Sequence, residues 1–376
     1  MVSDSQSFKN WLKSITWQIQ FSLRSGGRKR TDGKPSDWAW FERATSYRLK
    51  SLLQPVKSML TTLGWSAHPA MSLDWLHTHA KVLWTTRLLL ADDLSRMLFD
   101  FSLVLRATSH RHFCFPRIDF DDLATLKKVT PFDMEGLPQD YLGLPLQICE
   151  LTLNTSSADS IDLQVVCNNQ LLDGVNYYRQ YFITREGVNI SPKSGEVVLD
   201  CGACIGDYSV LFAAMVGPSG QVHAFDPLPL HNRYCKLQAQ LNPTLAPVMH
   251  FNAAAVGKQT SKAKQSTLEH DRITPGLRVE NDSFDFVSLD DYAKDHLDRV
   301  DYIKMDIEGA EMDALAGAEN VIRAFKPRLA ISGYHRPSDL WEIPQKIISL
   351  NPDYKLTFGH HSPVRWESVF YAVHQN

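Results

Sequence analysis

From Val197 to the C-terminus, short apolar runs alternate with helix-length amphipathic segments. This alternation restricts the fold more than any other feature of the chain. The runs are Val197–Asp200, Gln221–Asp226, Met249–Val256, Tyr302–Asp306, Arg328–Ser332, Tyr354–Phe358 and Ser368–Val373. Between them, Tyr208–Met215, Leu230–Leu241, Glu311–Ala324 and Leu340–Leu350 repeat apolar residues at helical spacing. Strands separated by helices form a mainly parallel sheet covered on both faces. Too few residues join the last two strands for a crossover, so they pair antiparallel and the sheet ends with a reversed strand. The expected fold class is α/β with a Rossmann-like sheet. The polar, unpatterned stretch Lys258–Ser283 reads as a loop or lid.

The first half reads differently. Phe8, Trp11, Leu12, Ile15 and Ile19 recur at helical spacing, although Ile15 to Leu23 also alternates and leaves a strand open. Arg24 to Arg30 follows as a basic linker. An interfacial helix with a polybasic anchor and a helix packed on the protein are both compatible with this pattern, and packing is favoured. Trp38–Leu63 and Leu73–Thr108 read as long helices, the first split or kinked at Pro55. Pro116, Pro131, Pro138 and Pro145 break the chain beyond. Leu163–Cys167 reads as a strand. Tyr177, Tyr178, Tyr181 and Phe182 form an aromatic group fit for a core or for a mouth over a ligand. The expected units are an N-terminal helix and linker (1–35), a helical accessory region (36–175) and the α/β domain (176–376).

Composition narrows the function classes. With 44% hydrophobic and 22% charged residues the chain buries a core. A net charge of -3 gives no global field for nucleic acid. No run approaches the roughly 18–20 apolar residues of a membrane span, and the N-terminus lacks a signal-peptide layout. A cytoplasmic protein with no nucleic-acid partner is expected, with membrane contact limited to the N-terminal helix. Of the six cysteines, Cys201 and Cys204 form a CxxC. No second pair stands at zinc spacing, and both lie inside a glycine loop, where small residues pack. No metal site is assigned.

Three motifs carry chemistry. In Val197-Val-Leu-Asp-Cys-Gly-Ala-Cys-Ile-Gly-Asp-Tyr-Ser209 a strand runs through Asp200 into a loop of Gly202, Ala203 and Gly206, then a helix beginning near Asp207. Ligands of open α/β sheets bind at the carboxyl ends of strands. The GxxxG spacing differs from the dinucleotide GxGxxG, and Asp200 would repel a pyrophosphate. It suits a sulfonium cofactor with an ammonium-bearing methionine end. Asp226 ends the next strand and can take both ribose hydroxyls, for NAD and S-adenosylmethionine alike. Asp306, Glu308 and Glu311 cluster where a third strand meets a helix. Glu308 and Glu311 there also complement the helix N-terminus. Asp306 is placed to orient an acceptor, contact the cofactor or hold a metal. His335 follows the next strand and is the expected general base; His360 and His361 are weaker candidates.

These motifs resemble the FkbM family of methyltransferases. The resemblance rests on Asp200-Cys-Gly-Ala-Cys-Ile-Gly-Asp-Tyr-Ser, Phe225-Asp-Pro-Leu-Pro and Ala254-Ala-Val-Gly. It continues in Ser288-Leu-Asp-Asp, Ile303-Lys-Met-Asp-Ile-Glu-Gly-Ala-Glu, Tyr334-His335 and Glu367-Ser-Val-Phe-Tyr-Ala, and covers roughly Tyr178 to Val373. It implies a class I methyltransferase fold, S-adenosyl-L-methionine as cofactor and O-methylation of a hydroxylated small-molecule or glycan acceptor. Asp226 departs from the usual glutamate, and both bind ribose. The expected cofactor residues are Asp200, Gly202, Ala203, Gly206, Asp207 and Asp226. The expected catalytic residues are His335, Asp306 and Glu308. The alternatives are an inactive binding module with this fold and a dinucleotide-dependent oxidoreductase.

Overall fold

A computed structural model describes residues 5–24, 72–108, 123–141, 144–154, 160–168, 171, 174–175, 179–185, 188–264, 283–362 and 366–374. The Trp38–Leu63 helix, the basic run Arg28–Arg30, Cys114, Tyr177, Tyr178 and positions 265–282 of the expected lid lie outside them.

Helix α1 spans Ser5–Arg24. The helical spacing prevails over the alternation because it buries Trp11, Ile15 and Ile19 on one face. The expected helix Leu73–Thr108 is two helices, α2 (Leu73–Leu89) and α3 (Asp93–Thr108). Leu90 is extended between them and bridges Leu356, while the Asp92 carboxylate accepts the Ser95 N–H at 2.7 Å and starts α3. Such a cap satisfies an otherwise orphaned helix donor. Apolar spacing continues across the break, so the sequence hides it.

The described part of 36–175 is not helical throughout, which corrects the accessory-region reading. β1 (Ala124–Pro131), β2 (Gln147–Asn154) and β3 (Ser160–Cys167) form an antiparallel sheet in the order β1-β2-β3. Cys149, Leu151 and Leu153 of β2 face the core at period two. Polar residues and exposed Leu126 and Val129 blur the pattern in edge strand β1.

The central sheet holds β4 (Val197–Cys201), β5 (Gln221–Phe225), β6 (Met249–Asn252), β7 (Tyr302–Met305), β8 (Arg328–Ser332), β9 (Tyr354–His360) and β10 (Ser368–His374). Their order is β6-β5-β4-β7-β8-β10-β9. All pairings are parallel except those of β10, which runs antiparallel to both β8 and β9. The reversed strand is therefore inserted next to the edge instead of forming it. The helices between strands are α4 (Asp207–Val216), α5 (Pro229–Leu241), α6 (Leu289–His296), α7 (Glu311–Ala316), α8 (Glu319–Phe325) and α9 (Asp339–Leu350). The single helix expected from Glu311 breaks at Gly317, where a Cβ would lie 2.1 Å from Gly257 O. The run Met249–Val256 also divides. Ala254–Val256 leaves the main sheet and pairs with Ser283–Val287, which pairs with Ser261–Lys264.

Alternate side chains of each strand serve two cores. Leu199, Ile303, Leu329 and Phe358 face the layer that contains α1, α2, α3 and α9. Val198, Tyr302, Ala330 and Tyr371 face α4 and the small sheet. The N-terminal helices thus share the central core, with Phe99 of α3 packed edge-on against Phe358 at 5.4 Å. This sandwich fixes the carboxyl ends of β4, β5, β7 and β8 as one edge.

Candidate functional site

The glycine loop leaves β4 and crosses directly over the end of β7. Gly202 has φ +82°, and a Cβ there would fall 1.9 Å from Asp306 O. Only glycine permits that crossing. Gly206 has φ +78° and caps α4. The loop's N–H groups are largely satisfied within the protein. Gly202 and Ala203 donate to Phe225 O at 2.9 and 3.0 Å, and Cys204 donates to Asp226 Oδ2 at 3.0 Å. Ala203 is buried. Burial pushes the Asp207 carboxyl, at the start of α4, up to about 6.

Asp200 does not reach the edge. It is fully buried, lies 3.0 Å from Lys304 Nζ, and accepts the Ser209 hydroxyl at 2.5 Å. Lys304 also donates to Gly202 O at 2.6 Å. Burial opposes the Lys304 charge, and Asp200 followed by Asp306 outweighs it and raises the ammonium's pKa. Asp200 therefore supports the loop from beneath, through a lysine in the middle of an apolar strand. That buried lysine was the available sequence signal for the pair, since a buried charge needs a partner.

Asp226 ends β5 at the same edge. Its Oδ1 accepts the Leu228 N–H at 2.9 Å and lies 2.9 Å from His231 Nδ1. With Cys204 on the other oxygen, it ties the two loops above β4 and β5 together.

The acidic cluster sits across the loop at the ends of β7 and β8. Asp306 accepts the Tyr334 hydroxyl at 2.8 Å and the Tyr181 hydroxyl at 2.9 Å. Burial works against its charge, but His335, Lys304 and the two tyrosines hold its pKa below the usual carboxylate value. His335 is enclosed by carboxylates. Its Nδ1 is 3.0 Å from Glu311 Oε1, and its Nε2 is 3.4 Å from Asp306 Oδ1 and 3.7 Å from Glu308 Oε2. Burial alone would lower the imidazole; Glu311, Asp306 and Glu308 instead raise it to about 10. These carboxylates favour the imidazolium over the neutral ring expected of a general base.

Glu308 holds left-handed φ +58°, followed by Gly309 at +94°. Burial, opposed by His335 and reinforced by Asp306 and Glu311, raises its carboxyl to about 7 although the side chain is half exposed. Glu367, which pairs with Gln180, is raised to about 7 by burial and by Asp306.

Among the described members of the expected aromatic group, Tyr181 reaches the site through its hydroxyl on Asp306. Tyr334 on Asp306, and Glu367 with Gln180, complete the surroundings of the cluster and carry no sequence signal for a role. Nothing in local spacing places them beside Asp306, because they come from separate segments. His360 and His361 bond to Ser368 and Tyr371. Burial pushes both Cys201 and Cys204 well above the ordinary thiol pKa, in keeping with packing. A cavity of about 620 Å³ lined by Lys193, Lys326 and Arg328 lies at the opposite, amino ends of the strands, so cavity volume does not mark the site.

The FkbM methyltransferase of Methylobacillus flagellatus is 22% identical with a TM-score of 0.51. The alignment covers 79% of this chain and 59% of that one, so this chain spans little more than half of its length. Aeropyrum pernix fibrillarin, a structure with natively bound S-adenosyl-L-methionine, is 12% identical over 66% of this chain and 99% of its own, at TM-score 0.34. Methanococcus jannaschii fibrillarin, a pre-rRNA processing protein, is 11% identical over 69% and 98%, at TM-score 0.37. Those two overlaps are too slight to carry an argument. No curated protein matches the chain. Among the described residues no helix is long and apolar enough to cross a membrane. Residues 200–356 match the Methyltransferase FkbM domain, a span that takes in the glycine loop, Asp226 and the acidic cluster, so this stretch of the chain is similar to the FkbM methyltransferases.

Proposed function

We propose that this domain transfers a methyl group from S-adenosyl-L-methionine to a hydroxyl oxygen of a sugar, glycan or related metabolite. The observation that carries the reading is the meeting of three groups at one sheet edge. These are the glycine loop after β4, Asp226 after β5, and Asp306 with Glu308 after β7. Asp207, Asp226, Asp306 and Glu308 make this edge anionic, which fits a cofactor bearing a sulfonium and an ammonium. The same set repels a pyrophosphate, which disfavours the dinucleotide alternative.

When bound, the cofactor supplies an already activated methyl group, so the residues mainly hold, orient and take up a proton. Gly202, Ala203, Gly206 and Asp207 hold the methionine end, and Asp226 holds the ribose. Lys304 and Asp200 keep the loop in shape from below. Asp306, fixed by two tyrosine hydroxyls, and Glu308 face the acceptor. The acceptor's proton leaves onto this carboxylate edge. His335 positions Glu308 and Asp306 through its ring.

The test is methyl transfer from radiolabelled S-adenosylmethionine to a panel of hydroxylated acceptors, comparing wild type with Asp306→Asn. The reading expects label on an acceptor oxygen and a loss of at least about tenfold in kcat for the variant. Label on nitrogen alone, or equal rates for both proteins, would exclude it.

A further inference from the structure

Helix α1 carries large apolar side chains on two sides. Trp11, Ile15 and Ile19 are buried in the core shared with α2 and α3. At 3.6 residues per turn, Lys13, Trp17, Gln20 and Phe21 fall on the opposite side. There Trp17 is 59% and Phe21 52% exposed, and their rings stack at 5.1 Å. Leu23, in the last turn, is 47% exposed. A surface helix that has buried one apolar stripe ordinarily turns polar residues to water. A paired indole and phenyl in that position is an apolar patch without a function in the fold.

The same side is cationic. From Ser5 to Arg24 the helix holds Lys9, Lys13 and Arg24 and no acidic residue, and Arg28, Lys29 and Arg30 follow it in the sequence. Lys9 and Lys13 are exposed, and with Trp17 they form one ridge at four-residue spacing. Among the described residues no carboxylate pairs with either lysine. A cavity of about 410 Å³ lies between α1 and α2, and its lining includes Leu12, Trp17, Lys9, Lys13 and His77. Thr16 Oγ1 lies 3.1 Å from His77 Nε2 and joins its two walls. Exposed aromatics beside unpaired lysines above an apolar recess match the interface of a bilayer. Indole rings settle at headgroup level there, and ammonium groups meet lipid phosphates.

We infer that this side of α1 docks on the surface of a bilayer containing anionic lipid. Trp17 and Phe21 enter the headgroup layer, and Lys9 and Lys13 meet the phosphates. The basic run Arg28–Arg30 adds to the attraction, which falls off within a Debye length. Charge complementarity selects this occupant: a second copy of the chain would set lysine against lysine. The helix stays in the core while it docks, because Trp11, Ile15 and Ile19 point the other way. Packing and interfacial binding, which the sequence offered as rival readings of α1, thus belong to opposite sides of one helix. The inference stands independently of the methyl-transfer reading.

The experiment sediments the full-length chain with vesicles of phosphatidylcholine alone and with vesicles in which about a third of the lipid is phosphatidylglycerol. The expected result is binding at least about tenfold tighter to the anionic vesicles, weakened by added salt. The double variant Trp17→Ala with Phe21→Ala should lower that partition at least about tenfold, and so should Lys9→Glu with Lys13→Glu. All four side chains are exposed, so both variants should keep the wild-type Tm and monomer-to-oligomer balance. Equal binding to the two vesicle types, no binding to either, or a partition that both variants leave unchanged overturns the proposal. A lower Tm in the aromatic variant means that the chain itself covers this side, and a changed oligomeric state means that a second copy does; either overturns it too.

Discussion

Lys304 Nζ lies 3.0 Å from Asp200 Oδ1, with both side chains out of solvent beneath the glycine loop. Removing one partner of a buried pair leaves an uncompensated charge and typically costs ~3–5 kcal/mol. Lys304→Met should lower the urea-unfolding free energy by about that amount. The double variant Asp200→Asn with Lys304→Met should recover more than half of the loss, because the charge has gone. A double variant no better than Lys304→Met would deny that the cost comes from the orphaned carboxylate.

Gly202 offers a steric test of the same loop. Gly202→Ala places a methyl 1.9 Å from Asp306 O at φ +82°. The left-handed backbone alone costs about 1–2 kcal/mol, and the backbone clash adds to it. Thermal unfolding should show a lower Tm, and calorimetry should show lost S-adenosylhomocysteine binding. Unchanged values for both would mean that the loop does not cross β7 as described.

Stability should depend on pH through His223. Burial, aided by His250 stacked at 4.6 Å and by His296, lowers its pKa to about 4. The unfolded chain therefore binds this proton at higher pH than the folded one does. The contribution is fully present above about 6.5 and is lost as pH falls through about 4. Denaturation midpoints between pH 7 and 4 should fall less steeply in His223→Gln than in wild type. Parallel curves would remove His223 from the acid sensitivity.

The N-terminal helix should behave as part of the core. Ile15 is 1% exposed and Trp17 is 59% exposed on the same helix. Ile15→Ala should cost ~2–5 kcal/mol, as buried truncations do. Trp17→Ala should stay within about 0.5 kcal/mol. Equal effects at both positions would contradict the docking of α1 on the sheet.

The β/α alternation from Val197 and the order of Asp200, Asp226 and Asp306 were legible because each signal is local: an apolar strand, a glycine turn, an acid at the strand end. β1 was not, since an edge strand with Leu126 and Val129 in solvent carries no period. The breaks at Leu90 and Gly317 were hidden because apolar spacing continues through a cap or a backbone contact. His335 was placed at the right edge from the sequence, but its charge depends on Glu311 and Glu308 folding back around it. Asp200 sat in the right motif and faces inward, because Lys304 from another strand claims it.

Cofactor binding by calorimetry tests the central claim most directly, comparing S-adenosylmethionine, S-adenosylhomocysteine and NAD on wild type and Asp226→Ala. The account predicts binding of the first two and none of NAD. Loss of the Asp226 charge-assisted hydrogen bonds should raise their Kd about 10–100-fold. Binding of NAD alone, or affinities indifferent to Asp226, would contradict the assignment of this sheet edge to S-adenosylmethionine.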